Sequence, residues 1–377
     1  MDASLPLSGT RVIDLTNLLP GPYATMILAD FGADVIKVER PPAGDPGRAS
    51  QPLLEGVSTR HRMINRNKRS IALNLKDPAD KATMLGLVES TDVLVEGFRP
   101  GTMDRLGLSY AALAELNPRL VYCSINGFGS SGTDNPPAHD LNFMALAGLL
   151  ALDPAAPPQL PASQFADLAA GSMRAVIGIL LALIGRQSSG EGQLVDVAMG
   201  EGALLLQIEA LAYLNAGQRA GTGETRLTGR YPCYQLYRTK DDRFMAVGAT
   251  EPLFWRNLCA ALDVPELVDQ QYAEGQAARS VIEQVGERFM SRTAADWEAR
   301  LQGIETCCTQ VRTPAEAIEC ASRSERSPIF EQVTDSGGVI RQFISPVVLS
   351  KTPAKYRRPA PGLDDDRDEI LLELDRR

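Results

Sequence analysis

The sequence predicts an α/β protein: a Rossmann-like large domain with a parallel sheet, joined to a smaller α+β domain. Three observations carry this. Residues 11–15 (Arg-Val-Ile-Asp-Leu) and 34–39 (Asp-Val-Ile-Lys-Val-Glu) are short apolar strands flanking a helical stretch, which makes one βαβ unit. The same rhythm then recurs, the signature of a parallel sheet wound with helices on both faces. Finally, 377 residues exceed what one compact domain usually holds, and the pattern changes beyond a polar, glycine-rich stretch at 217–229.

The elements follow in order. A Pro/Gly turn at 16–22 leads into an apolar helix at 23–31, stopped by Gly32. Residues 70–75 are the third strand, 77–90 a helix, 92–96 the fourth strand, 110–116 a helix and 120–125 the fifth strand. A Gly/Ser/Asn/Pro-rich loop from Asn126 ends in His139-Asp140 and becomes an apolar run to Leu150. A Pro-rich linker at 153–161 precedes Asp167, which begins an apolar helix over 169–184. Residues 193–198 are a strand and 201–216 a helix. After the linker, 234–237 and 244–247 flank a polar turn as a β-hairpin, followed by amphipathic helices to about 322. The tail has short strands and a last acidic helix at 368–374. The expected organisation is a large domain at 1–216 completed by 326–377, a linker at 217–229 and a small domain at 230–325.

Composition narrows the function. An apolar content of 44% and a charged content of 23% belong to an ordinary globular protein. A net charge of −9 argues against a nucleic-acid partner. Six cysteines include the adjacent Cys307 and Cys308 and no Cys-x-x-Cys pair, so neither a disulfide framework nor a zinc site is expected. The N-terminus does not read as a signal peptide, and the apolar run at 175–184 is about half of what spans a bilayer. A cytoplasmic protein without a membrane partner is the expectation.

Ligands of wound sheets bind at the carboxyl ends of the strands. Arg40, Lys76, Arg99 and the loop leading to His139 fall there, and a cation rim suits a phosphorylated ligand. No Gly-x-Gly-x-x-Gly follows the first strand and no Walker sequence is present. His139 stands where a loop meets a buried segment, a place for proton chemistry. On residue types alone, His139-Asp140 reads equally as a helix cap, and Asp167 as another.

Larger stretches decide more. Asp14-Leu15-Thr16-Asn17-Leu18-Leu19-Pro20-Gly21-Pro22, the run from Leu28 to Pro41, the run from Asn67 to Lys76 and Asn126-Gly127-Phe128-Gly129 resemble the family III CoA-transferases (CaiB/BaiF). Within that superfamily the α-methylacyl-CoA racemase branch is most similar. His139-Asp140-Leu141-Asn142-Phe143 resembles the racemase histidine motif, with Ala138 where glycine is usual. Phe165-Ala166-Asp167 resembles the segment bearing the catalytic aspartate, and the stretch from Ala246 to Pro252 the one supplying a glutamate, here Glu251.

The resemblance implies a racemase of 2-methylacyl-CoA thioesters. His139 and Asp167 would be bases on opposite faces of the α-carbon, working through an enolate, and Glu251 would fix the imidazole tautomer. Backbone N–H groups opening the helix of Asp167 are expected to hold the enolate oxygen. The resemblance assigns coenzyme A to Arg40, Leu73, Asn74, Leu75, Lys76, Glu96, Phe98, Arg99 and Arg105, with Asp140, Leu141, Asn142 and Phe143 near the pantetheine end. Coenzyme A would be part of the substrate, with no metal or other cofactor, and the fold an interlocked homodimer. The alternative is a CoA-transferase in which Asp167 attacks the thioester and carries the acyl group and then CoA. A silent acyl-CoA-binding subunit is a further rival.

Overall fold

Strand β1 (Arg11–Asp14) sends Ile13 to one side and Val12 to the other, and both are fully buried. Its neighbours do the same. Ile36, Ile71 and Leu94 join Ile13 in one core, while Val35, Val93 and Val121 join Val12 in a second core on the opposite face. A sheet apolar on both faces must be covered on both. Helix α1 (Pro20–Asp30) and the later helix α4 (Met173–Ser189) cover the Val12 side, and α2 (Pro78–Glu89) the Ile13 side.

The computed structural model describes residues 5–130, 135–150, 158, 160–221, 223–334 and 337–376. They form two units. The first comprises Met1–Leu149, Pro161–Leu206 and Arg326–Arg377, the second Leu150–Leu160 and Gln207–Glu325. In the first, β2 (Asp34–Glu39), β3 (Lys68–Ala72), β4 (Val93–Glu96), β5 (Val121–Asn126) and β6 (Leu194–Ala198) build a six-stranded sheet with β1, in the order β3-β2-β1-β4-β5-β6. All its pairings are parallel. This is the doubly-wound order, and the winding reverses between β1 and β4, where such sheets leave a crevice.

Several boundaries differ from the sequence reading. Helix α1 starts at Pro20 rather than residue 23, since a proline's missing N–H costs nothing in the first turn. Strand β3 starts at Lys68 rather than residue 70, because Lys68 is fully buried and ion-paired with Asp14 at 2.9 Å. The helix expected over 201–216 breaks into Met199–Leu204 and Ile208–Asn215, separated by a tight turn at Leu205–Gln207. That break moves residues 207–229, expected as the end of the large domain and a linker, into the second unit. The apolar run at 175–184 lies within a 24-residue helical stretch, Ala166–Ser189, long and apolar enough to cross a membrane. Its Ala175, Ile179 and Ala182 instead pack into the core against the sheet.

The C-terminal segment completes the first unit. Arg69 in edge strand β3 donates to Asp34 and to Glu373, at 2.6 and 2.7 Å. The free edge of β3 is met by carboxylates: Ser70 N donates to Asp366 Oδ2 at 2.8 Å and Ala72 N to Asp364 Oδ1 at 2.7 Å. Covering an edge in this way blocks further strand pairing.

In the second unit, β7 (Tyr234–Arg238) and β8 (Phe244–Gly248) form the antiparallel hairpin, and β9 (Cys308–Gln310) adds a third strand on β8. Trp255, Phe289 and Trp297 fill its core, and both indoles donate to backbone carbonyls, Leu267 O at 3.1 Å and Phe289 O at 2.9 Å.

Candidate active site

The crevice holds a cavity of about 350 Å³. Its walls are the β1–α1 loop (Thr16 to Gly21), the turn after β4 (Gly97 to Pro100), the turn after β5 (Ile125 to Gly127), the loop ending in His139, and Asp167. A second cavity of about 540 Å³ is lined by Arg40, Leu73, Asn74, Leu75, Lys76 and the Pro41–Pro42 turn. Phe98 lines both.

Helix α3 (Asp140–Leu146) begins at His139, which occupies the N-cap position with extended backbone. The Asn142 side chain accepts from His139 N at 3.0 Å, which fixes the entry of the chain into the helix. The imidazole is exposed. Asp140 is the first residue of α3 and reaches across to the other candidate base: its Oδ1 accepts from Asp167 N at 2.9 Å. Buried Phe143 packs edge-on against Phe128 at 5.5 Å. A Cβ at Gly127 would lie 2.9 Å from the Phe143 ring, so the turn passes there only as glycine.

Asp167 lies in a widened, π-type turn, Ala166–Ser172, that runs directly into α4. Such turns recur at functional sites. Ser172 Oγ donates to Asp167 O at 3.0 Å and to Pro20 O at 2.7 Å, tying the turn to the start of α1. Burial pushes the Asp167 carboxyl up to about 6, with neighbouring Asp140 adding to the rise and His139 and Arg60 opposing it. A half-buried carboxyl near neutrality can both take and give a proton.

Not every expected residue comes to these cavities. Arg99 is on the wall of the first, whereas Arg105 lines neither and donates to Thr102 Oγ1 at 2.9 Å. Glu96 is buried behind the rim; its Oε2 accepts from Phe98 N at 2.8 Å, and burial raises its carboxyl. It therefore shapes the turn that presents Phe98. Leu141 and Asn142 are exposed on α3, away from the cavity lining. Glu251 belongs to the second unit, where it precedes α5 (Pro252–Ala261) and accepts from Thr250 Oγ1 at 3.0 Å. The backbone donors expected for the enolate are engaged: Asp167 N by Asp140, and Leu168 N by Gln164 O at 3.0 Å. The helix of Asp167 starts at Phe165, after non-helical residues 161–164, so Asp167 and Leu168 lie in its first turn, but both of their N–H groups are already bonded.

Residues outside the sequence reading also build the site. Asp196 in β6 accepts from Asn126 Nδ2 at 2.9 Å and from Ser130 N at 2.8 Å, anchoring the loop after β5. Arg60 bears on Asp167 electrostatically. Nothing in the sequence links either residue to the site, because the contacts are made only by the folded sheet.

The sequence profile of CoA-transferase family III matches residues 7–367. The chain belongs to this family. Among relatives, the α-methylacyl-CoA racemase of Homo sapiens is 34% identical, covering 98% of this chain and 94% of that protein. An acetyl-CoA:oxalate CoA-transferase of Acetobacter aceti is 35% identical, with 96% and 93% covered. A CaiB/BaiF family protein from Brucella suis, solved by crystallography, superposes with a TM-score of 0.84 at 28% identity, covering 98% of this chain and 100% of that one. The family fold is thus that of the doubly-wound sheet, and the family points to an enzyme acting on CoA thioesters. Racemases and transferases are similar to this chain to about the same degree.

Proposed function

We propose that this protein is a racemase of 2-methylacyl-CoA thioesters. The carrying observation is that His139 and Asp167, on different elements, line one cavity at the switch point. A thioester sulfur donates poorly into its carbonyl, so the α-proton is acidic enough for a positioned base. One residue removes that proton while the other, already protonated, returns one to the opposite face. Two unlike bases suit this cycle, and an Asp167 carboxyl near 6 suits a group that alternates between both states. Glu251 is assigned to hold the imidazole tautomer.

The second cavity, with Arg40 and Lys76 at its wall, is assigned to the coenzyme A portion. The reading calls for no metal or redox group, and coenzyme A enters as part of the substrate. Free thiols at Cys123, Cys233 and Cys259 support a cytoplasmic setting. A homodimer is supported by exposed apolar side chains, with Leu181 and Ile184 in α4 each 63% exposed and Ile208 76% exposed.

The test is proton NMR of one epimer of a 2-methylacyl-CoA in D₂O. Loss of the α-proton signal with appearance of the other epimer is expected. His139→Ala and Asp167→Ala should each slow exchange from a different starting epimer. No exchange, with CoA passing instead to an added carboxylate, would assign the protein to the transferases and make Asp167 a nucleophile.

A further inference from the structure

Among the described residues only two line both cavities, Phe98 and Asn17. Asn17 is exposed, and its carboxamide makes no hydrogen bond among the described residues. Its place in the chain is nonetheless fixed from beneath on both sides. Thr16 N donates to Asp14 Oδ1 at 2.9 Å, and Thr16 O accepts from Lys37 Nζ at 2.8 Å. On the other side, Leu18 N donates to Asp45 Oδ1 at 3.1 Å. Leu18 has a φ of 66°, a left-handed conformation that a leucine adopts only under constraint.

The two anchors are joined to each other. Lys37 Nζ and Asp45 Oδ2 lie 3.1 Å apart, with both side chains fully buried. Asp45 also closes the loop on the other cavity: its N–H donates to Glu39 Oε2 at 2.9 Å, and Ala43, Gly44 and Pro46 beside it line that wall. One buried ion pair thus sets the β1–α1 loop of the first cavity and the loop after β2 of the second. Buried pairs are poor sources of stability but good devices for register.

We propose that Asn17 binds acyl-CoA at the junction of the two cavities, its carboxamide meeting the amides of the pantetheine arm, and that Lys37 and Asp45 are positioning residues that set its place. A carboxamide both donates and accepts, as a pantetheine amide does. The inference rests on the reading that acyl-CoA spans the two cavities, but not on which reaction follows.

The experiment is calorimetric titration of the full-length protein and its variants with coenzyme A, alongside kcat and KM for a 2-methylacyl-CoA. Asn17→Ala should raise the Kd for coenzyme A and the KM by about three- to tenfold, with kcat within about twofold and Tm unchanged. Asn17→Gln should recover part of the loss. Asp45→Asn should raise KM similarly, and the double variant should be no worse than Asp45→Asn alone, because the pair acts through Asn17. Unchanged Kd and KM in Asn17→Ala, or multiplying effects in the double variant, would overturn the proposal. Coenzyme A binding without α-proton exchange would remove the racemase reading and leave the Asn17 comparison decisive. A wild-type protein that binds no coenzyme A would remove both.

Discussion

The Asp140 carboxylate accepts the backbone N–H of Asp167 at 2.9 Å, so the residue next to one candidate base orients the other. Substituting Asp140 should therefore disturb a reaction in which it takes no proton. Asp140→Asn keeps an acceptor oxygen but removes a charge that raises the Asp167 carboxyl. The expected result is an acid limb of α-proton exchange displaced to lower pH, with kcat near wild type. Asp140→Ala also releases the turn and should reduce kcat by about tenfold or more. pH profiles of exchange for the two variants check this.

Exchange begun by Asp167 requires its ionised form, so that direction should lose rate as pH falls through about 6. Starting from the opposite epimer, Asp167 must be protonated, and the dependence reverses. Deuterium uptake measured from each epimer between pH 5 and 8 distinguishes the two limbs.

The same raised carboxyl has a stability consequence. A folded-state pKa above the ordinary 3.8 means that the ionised form strains the fold; this contribution is favourable below 3.8 and is lost as pH rises through about 6. Asp167→Asn should thus be inactive yet melt higher than wild type at pH 7.5, by roughly a few degrees. Thermal denaturation at pH 7.5 and pH 4 tests both the gain and its disappearance.

His61 contributes in the opposite sense. Burial, with Arg48 and Lys37 nearby, pushes its imidazole down to about 3, and its Nε2 has no hydrogen-bond partner among the described residues. The unfolded chain therefore binds a proton between about 6.5 and 3 that the folded one refuses. Stability is full above 6.5 and falls as pH drops through that window. His61→Gln should flatten this loss by about 2 kcal/mol between pH 7 and 4.5, read from urea unfolding at each pH.

Leu181 and Leu211 test the proposed assembly, since they are 63% and 57% exposed. Leu181→Glu and Leu211→Glu should shift the mass in light scattering from dimer to monomer and leave the far-UV circular dichroism intact. A wild-type monomer would remove the dimer from the reading.

Much of the large sheet is legible in the sequence because its strands are apolar on both faces, as Val12-Ile13 and Val35-Ile36 show, and each is bounded by turn residues. The start of β3 is not, since Lys68 and Arg69 look like loop residues until buried carboxylates meet them. Strand β9 is three residues long and lacks alternation, so its pairing with β8 is invisible beforehand. In the site, the ends of β2 and β3 announce Arg40 and Lys76, while Arg105 is placed by resemblance and turns to its own helix. The widened turn around Asp167 shares the apolar composition of an ordinary helix and leaves no mark in sequence. The network of Asp14, Lys37 and Asp45 is similarly hidden, because residues from three elements become neighbours only through the sheet order.

The C-terminal carboxylates that meet β3 give the protein a direction in time. Arg69, Ser70 and Ala72 wait for Glu373, Asp366 and Asp364, which lie 304, 296 and 292 residues further along. During synthesis the second unit, whose core from Cys233 to Leu301 is nearly continuous in the chain, has all of its interior before the last 52 residues of the first unit emerge. The sheet that carries the candidate site keeps its β3 edge open until residues 364–373 have been made. A chain cut before Asp364 therefore exposes β3 as an edge to which another strand can add, and turns that side of the sheet into a site of aggregation.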